Sequence, residues 1–293
     1  MIAELVQVVT RDGLRLHGAL HLPAEAADDR SEVLLLLHGA GGNFYSSGLF
    51  TGLIARLVKD GLTVLAVNTR GHDAVSTAGT RKYFGAAFEL VDDCRHDVAA
   101  WVEFLAGRGY PQIALAGHSL GAVKAIYCLA NEPPAPVRRL IAISPPRLSY
   151  SRFANSPEAE TFLREFAVAE AHLREGRSET IMAVQFPLPY LVSAAGYLDK
   201  YGPEERYNLL RFVDRVSCPM LFTFGAIELR RGSAFAELPE ELNARARGDL
   251  RVVTVPGADH FYSFGLGELA TQMVAWLRGP ASGSPPDDRS TSG

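Results

Sequence analysis

Residues 117–121, with the sequence Gly-His-Ser-Leu-Gly, constrain the fold of this chain more than any other short segment. They follow a mostly apolar run at 112–116 that predicts a buried strand, and they open a stretch whose apolar residues have helical spacing. The two glycines permit a sharp turn because neither carries a Cβ. A strand that turns directly into a helix is the building unit of a parallel α/β sheet.

Further apolar runs alternate with helical patterns along the chain. The predicted strands are 5–10, 14–22, 33–37, 63–67, 113–116, 140–143, 220–224 and 252–255, and the predicted helices are 49–59, 90–105, 120–129, 235–245 and 264–277. Wholly apolar strands are typical of a sheet that is covered on both faces. The alternation therefore predicts an α/β fold with a mostly parallel central sheet, right-handed crossovers and helices on both faces.

One segment, residues 149–215, interrupts this alternation, because it contains helical patterns, prolines and many aromatic residues but no convincing strand. We therefore predict an α/β core formed by residues 1–148 and 216–278, with an inserted helical cap at 149–215. The remaining residues, 279–293, are rich in Pro, Ser, Gly and Asp and are predicted to be a disordered tail.

The aromatic residues of the predicted cap are candidates for substrate binding, since ligand sites often lie in apolar clefts between subdomains. Phe186, Tyr190 and Tyr197 are examples. The alternative is that these aromatic side chains form only the small core of the cap itself.

Composition excludes several classes of protein. A net charge of −4 offers no basic surface for nucleic acid. No apolar stretch reaches the ~20 residues of a membrane span, and no signal peptide is visible, so we expect a cytoplasmic protein. Cys94, Cys128 and Cys218 are widely spaced, which disfavours a disulfide framework or a zinc site. We expect no metal or other cofactor.

Ser119 is the candidate nucleophile. In a strand–turn–helix setting, Gly-x-Ser-x-Gly is typical of a nucleophile elbow, in which a strained turn exposes the serine hydroxyl above the sheet. The start of the following helix favours negative charge that develops beside it.

His260 is the candidate base, because a serine hydroxyl needs a base to become a nucleophile at neutral pH. Only His172 and His260 follow Ser119, as the order of this catalytic set requires. His172 lies within a predicted cap helix. His260 lies in a loop after the final strand, where a catalytic base is expected.

Glu228 is the candidate acid that orients His260, because it lies three residues beyond Gly225 at the end of a predicted strand. Asp259 adjoins His260, and adjacent side chains rarely meet in this manner. Glu237 is a more distant alternative.

The candidate donors for an oxyanion are the backbone N–H groups of Leu120 and Ala40, with Gly41 as the alternative to Ala40. His38 is expected to brace this loop. The loop lacks the Lys-Ser/Thr of a phosphate loop, which excludes nucleotide binding of that kind. Lys124 is expected to pair with one of the acidic residues at positions 89, 92, 93 and 97.

Taken together, these motifs resemble those of the α/β-hydrolase superfamily. The resemblance rests on His38-Gly39 after an apolar strand, Arg70-Gly71-His72, Gly117-His118-Ser119-Leu120-Gly121, Gly225-x-x-Glu228 and Gly257-x-Asp259-His260. It covers residues 5–278 except the predicted cap. It implies the α/β-hydrolase fold, with Ser119 as nucleophile, Glu228 as acid, His260 as base, and Ala40 and Leu120 as oxyanion donors. Most relatives have Asp at the position of Glu228.

The sequence thus predicts a serine hydrolase that cleaves a carboxylic ester of a small apolar or aromatic molecule through an acyl-enzyme. Hydrolysis of a C–C bond, an amide or a lactone, or perhydrolysis, is the alternative on the same residues. A non-catalytic ligand-binding protein and a lipase-type enzyme are further alternatives. The expected partner is a small-molecule ester, with no nucleic acid or membrane, and the chain is expected to be a monomer or a homodimer.

Overall fold

A computed structural model describes residues 2–24, 32–77, 82–245 and 247–279. The strands there are β1 (Ile2–Val9), β2 (Arg15–Leu22), β3 (Glu32–Leu37), β4 (Thr63–Val67), β5 (Gln112–His118), β6 (Val137–Ile143), β7 (Ile181–Val184), β8 (Tyr190–Ser193), β9 (Met220–Gly225) and β10 (Leu250–Val255). The α-helices are α1 (Gly48–Lys59), α2 (Cys94–Gly107), α3 (Leu120–Asn131), α4 (Tyr150–Phe153), α5 (Ala159–Arg174), α6 (Ala194–Tyr201), α7 (Ala226–Arg231), α8 (Leu238–Asn243) and α9 (Leu266–Arg278), and short 3-10 helices lie at Val91–Asp93, Leu209–Arg211 and Val213–Arg215. The predicted disordered tail lies outside the described residues except for Gly279.

The central sheet has eight strands in the order β1-β2-β4-β3-β5-β6-β9-β10. The strands from β3 onward pair in parallel, whereas β1 and β2 form an antiparallel hairpin at one edge. The hairpin turn closes through hydrogen bonds between Thr10 and both Gly13 and Leu14. The predicted mostly parallel sheet is confirmed.

Strand β3 shows why its sequence is apolar at every position. Val33, Leu35 and Leu37 face a core that contains side chains of α2 and α3. Leu34 and Leu36 face a second core on the opposite side of the sheet, which contains side chains of α1 and α9. Because side chains alternate along a strand, a sheet covered on both faces requires apolar residues at successive positions.

The order of the strands places the predicted site residues that follow β3 and β5 next to each other at the carboxyl ends of these strands. The chain moves from β3 outward to β4, and then returns to the other side of β3 to form β5. The carboxyl ends of β3 and β5 therefore border a crevice where connections diverge in opposite directions, which is the usual ligand site of open α/β sheets. Residues 38–42 follow β3, and Ser119 follows β5.

The segment between β6 and β9 differs from the all-helical cap that the sequence predicts. It contains α4, α5 and α6, and it also contains an antiparallel hairpin formed by β7 and β8. The expectation of no strand is therefore wrong for residues 181–184 and 190–193. Each strand has only four residues, which is too short for a clear period-two pattern, and prolines occupy the connection.

The inserted segment has a core of its own, built largely from aromatic rings. Phe153, Phe162 and Phe186 contact one another edge to face, with ring centroids 5.0 to 5.8 Å apart. Leu120 and Val123 of α3 belong to the same cluster. Among the described helices, none is long and apolar enough to cross a membrane.

Candidate active site

Ser119 lies in the turn between β5 and α3, in a strained backbone conformation. Its φ is 55° and its ψ is −124°, a region that residues other than glycine rarely adopt. A Cβ on Gly117 would lie 2.3 Å from the carbonyl carbon of Gly121, and one on Gly121 would lie 2.4 Å from the carbonyl oxygen of His38. Both glycines are therefore required by the close packing of this turn.

The Ser119 side chain borders a cavity of about 360 Å³ between the core and the inserted segment. His260 borders the same cavity. The other lining residues are His38, Gly39, Ala40, Gly42, Ser47, Phe50, His118, Leu120, Pro146, Leu148, Pro187, Leu188, Tyr201, Ala234, Phe235 and Phe261. The walls are thus mostly apolar, and the volume is near the lower end of small-molecule sites.

His260 is held by Glu228. Nδ1 of the imidazole lies 2.7 Å from Oε2 of the carboxylate, and Glu228 is only 6% exposed. Because an ionised carboxylate only accepts hydrogen bonds, Nδ1 carries the hydrogen of this contact, which leaves Nε2 as the acceptor of a neutral imidazole. The residues predicted as acid and base are therefore adjacent, and the predicted base and nucleophile share one cavity.

The position of Glu228 follows from the start of α7. Gly225 ends β9, and its N–H donates to Oε1 of Glu228 at 2.7 Å, as a capping residue in the first helical turn does. The hydroxyl of Ser144 also donates to Oε1. The long side chain thus folds back over the strand end, with its second oxygen directed at His260.

The alternative acids and base occupy other environments. Asp259 accepts hydrogen bonds from the N–H groups of Phe261 and Ser263, so it stabilises its own turn. Glu237 pairs with Arg152. His172 lies on α5 and does not line the cavity that contains Ser119.

His118, the second residue of the pentapeptide, has a role that sequence reasoning missed. Its Nε2 lies 2.8 Å from the backbone carbonyl oxygen of His260, to which it donates. Burial lowers the pKa of His118 to about 3, with a further contribution from nearby His260, so the ring is neutral. His118 thereby tethers the loop that carries the candidate base to the turn that carries Ser119.

Both candidate oxyanion donors, Ala40 and Leu120, line the cavity. The loop that contains Ala40 is braced by His38, whose Nδ1 donates to the Gly39 carbonyl at 2.7 Å and whose Nε2 accepts the Thr69 N–H at 3.0 Å. Burial and the charge of Lys124 lower the pKa of His38 to about 4. The predicted bracing role of His38 agrees with these contacts.

The cap aromatics suggested by the sequence are not the ones beside Ser119. Phe186 and Tyr197 are buried in the inserted segment, where the Tyr197 hydroxyl donates to the Phe186 carbonyl at 3.1 Å. Tyr190 donates to the hydroxyl of Tyr201 at 3.3 Å. The inserted segment instead contributes Pro187, Leu188 and Tyr201 to the cavity wall. The aromatic content of a segment therefore does not predict which of its side chains face the cavity and which face the core of the segment itself.

Lys124 pairs with Glu89, one of its four predicted partners, and both side chains are fully buried. Lys200 of α6 approaches the same carboxylate, with Nζ 3.9 Å from Oε2. Burial raises the pKa of Glu89, but the two lysines more than offset this effect and lower it below its ordinary value. In the described part of the chain, no three His, Cys, Asp or Glu side chains are grouped so that they could hold a metal ion.

Known proteins place the chain in a family. Residues 34–268 match the model of the alpha/beta hydrolase family. The chain is 29% identical over 248 residues to 2-(acetamidomethylene)succinate hydrolase of Mesorhizobium japonicum, a match that covers 78% of this chain and 81% of that protein.

Solved structures show the same fold. Est1E from Butyrivibrio proteoclasticus with bound ferulic acid has a TM-score of 0.66 at 16% identity, covering 93% of this chain and 98% of Est1E. The alpha/beta hydrolase GrgF from Penicillium sp. sh18 has a TM-score of 0.67 at 16% identity, covering 94% of this chain and 97% of GrgF. Since the family model spans most of the sequence and the sheet has the expected order, the chain belongs to the alpha/beta hydrolase family of hydrolases.

Proposed function

We propose that this protein hydrolyses carboxylic esters of small, uncharged, apolar or aromatic molecules, with Ser119 as nucleophile, His260 as base and Glu228 as acid. One observation carries the proposal. Ser119 and His260 line one apolar cavity, and Nδ1 of that histidine is held at 2.7 Å by a buried carboxylate that leaves Nε2 free to accept a proton.

The reaction follows from these positions. Ser119 Oγ attacks the ester carbonyl carbon and transfers its proton to Nε2 of His260, while the negative charge of Glu228 stabilises the imidazolium. The oxyanion accepts hydrogen bonds from the N–H groups of Ala40 and Leu120. His260 then protonates the departing alcohol. It next removes a proton from water, which attacks the acyl group and releases the acid and free Ser119.

The preference for an uncharged acyl group follows from the cavity walls. Among the described lining residues there is no lysine or arginine. His38 and His118 are neutral at pH 7, because burial lowers the pKa of these groups to about 4 and about 3. A carboxylate on the substrate would lose its hydration in this cavity without gaining a cation as partner, which is unfavourable.

Amide hydrolysis is the second candidate, because the curated relative is named for a compound that contains an acetamido group and a succinate. The succinate part carries two carboxylates, for which these walls offer no cationic side chain. We therefore favour an ester over that substrate for this chain.

The test uses matched p-nitrophenyl esters, one with a neutral butyryl group and one with an anionic succinyl group, together with butyryl p-nitroanilide. We expect kcat/KM to be highest for the butyryl ester. We expect Ser119→Ala to abolish both hydrolysis and labelling by a fluorophosphonate probe. Full activity of Ser119→Ala would refute the assignment of Ser119, and equal activity on the succinyl ester would refute the preference for an uncharged acyl group.

A further inference from the structure

We propose that Ser144, supported by the hydroxyls of Tyr262 and Thr223, is a positioning residue that holds Glu228 against His260. This inference rests on the proposed function, because it assigns Glu228 its part in the reaction. None of the three hydroxyls touches the cavity that contains Ser119.

The three hydroxyl side chains form a buried series that ends on the carboxylate. Ser144 donates to Oε1 of Glu228, the Tyr262 hydroxyl lies 3.1 Å from Ser144 Oγ, and Thr223 Oγ1 lies 2.9 Å from the Tyr262 hydroxyl. All three side chains are fully buried. Each hydroxyl has one hydrogen, so once Ser144 donates to Glu228, Tyr262 donates to Ser144 and Thr223 donates to Tyr262.

Because all of these hydrogen bonds point toward Glu228, each one strengthens the hydrogen bond that Ser144 donates to Oε1. Hydrogen bonds in series polarise one another, and those that end on a charged acceptor are stronger than neutral ones. Burial raises the pKa of Tyr262, and nearby Glu228 raises it further, so the phenol keeps its hydrogen and remains a donor.

The hydroxyl series fixes the orientation of the Glu228 carboxylate, which the torsions of the side chain alone do not fix. The terminal torsion of glutamate is broad, so the carboxylate plane is poorly defined without partners. The N–H of Gly225 and the hydroxyl of Ser144 both bind Oε1, which leaves Oε2 for Nδ1 of His260. These two donors therefore hold the carboxylate of a long, flexible side chain in one orientation.

Ser144 and Tyr262 both have a backbone conformation that is unfavourable for residues other than glycine. Ser144 has a φ of 47°, and its N–H donates to the Thr223 carbonyl at 2.8 Å. Tyr262 has a φ of 54°. Residues other than glycine hold such values at a cost, and they cluster at functional sites. The preceding residues of β6, Leu140–Ile143, are all apolar and buried, so the hydroxyl is not a requirement of the strand.

The experiment compares Ser144→Ala, Tyr262→Phe and Thr223→Val with wild type, using the butyryl ester and the rate of fluorophosphonate labelling. We expect kcat to fall roughly 10- to 100-fold for Ser144→Ala, since a hydrogen bond to a charged group is lost. We expect smaller losses of roughly 2- to 5-fold for Tyr262→Phe and still less for Thr223→Val, with KM unchanged throughout.

Matched controls separate positioning from packing. Ser149→Ala removes another fully buried serine hydroxyl that donates to a carboxylate, that of Glu205 at 2.7 Å, far from His260 in the chain. Tyr207→Phe removes a buried phenol that donates to Asp199 at 2.9 Å. We expect kcat to be unchanged in both variants. An equal loss in Ser149→Ala would overturn the proposal.

A double-mutant cycle tests whether Ser144 acts through Glu228. We expect Ser144→Ala to change kcat less than about twofold when Glu228 is already glutamine, because the group it positions is gone. The proposal would be overturned if the losses of kcat from Ser144→Ala and Glu228→Gln were additive. It would also be overturned if Ser144→Ala, with Glu228 in place, kept the kcat of wild type. If Ser144→Ala does not fold, the same cycle with Tyr262→Phe decides. A wild type that neither labels nor hydrolyses esters would instead refute the proposed function.

Discussion

Two buried glutamates show how partners decide what a carboxylate does in this molecule. Glu228 is 6% exposed and Glu89 is 2% exposed. Glu228 is bound by a backbone N–H, a hydroxyl and an imidazole that faces the cavity. Glu89 lies between two buried ammonium groups, Lys124 and Lys200, and does not line the cavity. Burial alone therefore does not distinguish a candidate catalytic carboxylate from a structural one.

The difference lies in the charge of the surroundings. Lys124 belongs to α3 of the core and Lys200 to α6 of the inserted segment, so Glu89 links the two parts through opposite charges. Burial lowers the pKa of Lys200, which makes the carboxylate necessary to keep that side chain charged. Glu228 has no lysine or arginine among its hydrogen-bond or ion-pair partners in the described residues, and its Oε2 binds the imidazole of His260, the candidate base.

The largest effect is expected from Glu228→Gln on catalysis. The glutamine amide would donate to Nδ1 of His260 and place the ring hydrogen on Nε2, so the ring could not accept the proton of Ser119. We expect kcat to fall roughly 10³- to 10⁴-fold with little change in the free energy of unfolding. Ester hydrolysis and urea unfolding measure the two quantities. Wild-type kcat in this variant would contradict the assignment of Glu228.

The next effect is expected from Glu89→Gln on stability. The change leaves two buried ammonium groups without a carboxylate, and we expect the free energy of unfolding to fall by about 3–5 kcal/mol. The triple variant Glu89→Met, Lys124→Met, Lys200→Met removes all three charges and is expected to recover much of that loss. Urea unfolding measures both. An undiminished stability of Glu89→Gln would show that the cluster does not hold the inserted segment to the core.

The sequence predicted the region around Glu228 better than the region around Glu89, for a physical reason. The turn at Gly117, Ser119 and Gly121 admits few residue types, so the local pattern predicts both the fold and the candidate nucleophile. The ends of β9 and β10 are also recognisable from local sequence, so the loops that follow them predict Glu228 and His260 as candidate acid and base. For Lys124 the sequence offers four acidic residues as ion-pair partners and does not decide between them, because the ion pair depends on how distant segments pack.

The inserted segment was predicted least well, because its features depend on tertiary contacts. The hairpin at 181–193 consists of strands too short to show a period. Tyr201 and Leu188 reach the cavity while Phe186 and Tyr197 do not, although all four are apolar or aromatic residues of one segment. Ser144 gave no signal of its role, since a single hydroxyl at a strand end has meaning only beside Glu228.

The last prediction concerns the pH dependence of stability, to which two buried histidines near the two glutamates each contribute. His38 lies near Lys124 and Glu89, and His118 lies against His260. Their pKa values are lowered to about 4 and about 3 by burial, so between pH 6.5 and about 4 the unfolded chain binds protons that the folded protein does not. Stability should therefore fall as pH falls through this window, by about 3 kcal/mol for each histidine.

Urea unfolding at several pH values measures the slope of the free energy of unfolding against pH. His38→Gln and His118→Gln should each reduce this slope by the contribution of about one proton. If only His118→Gln flattens the slope, His38 binds protons equally in the folded and the unfolded protein, and of the two histidines only His118, beside His260, makes stability sensitive to acid.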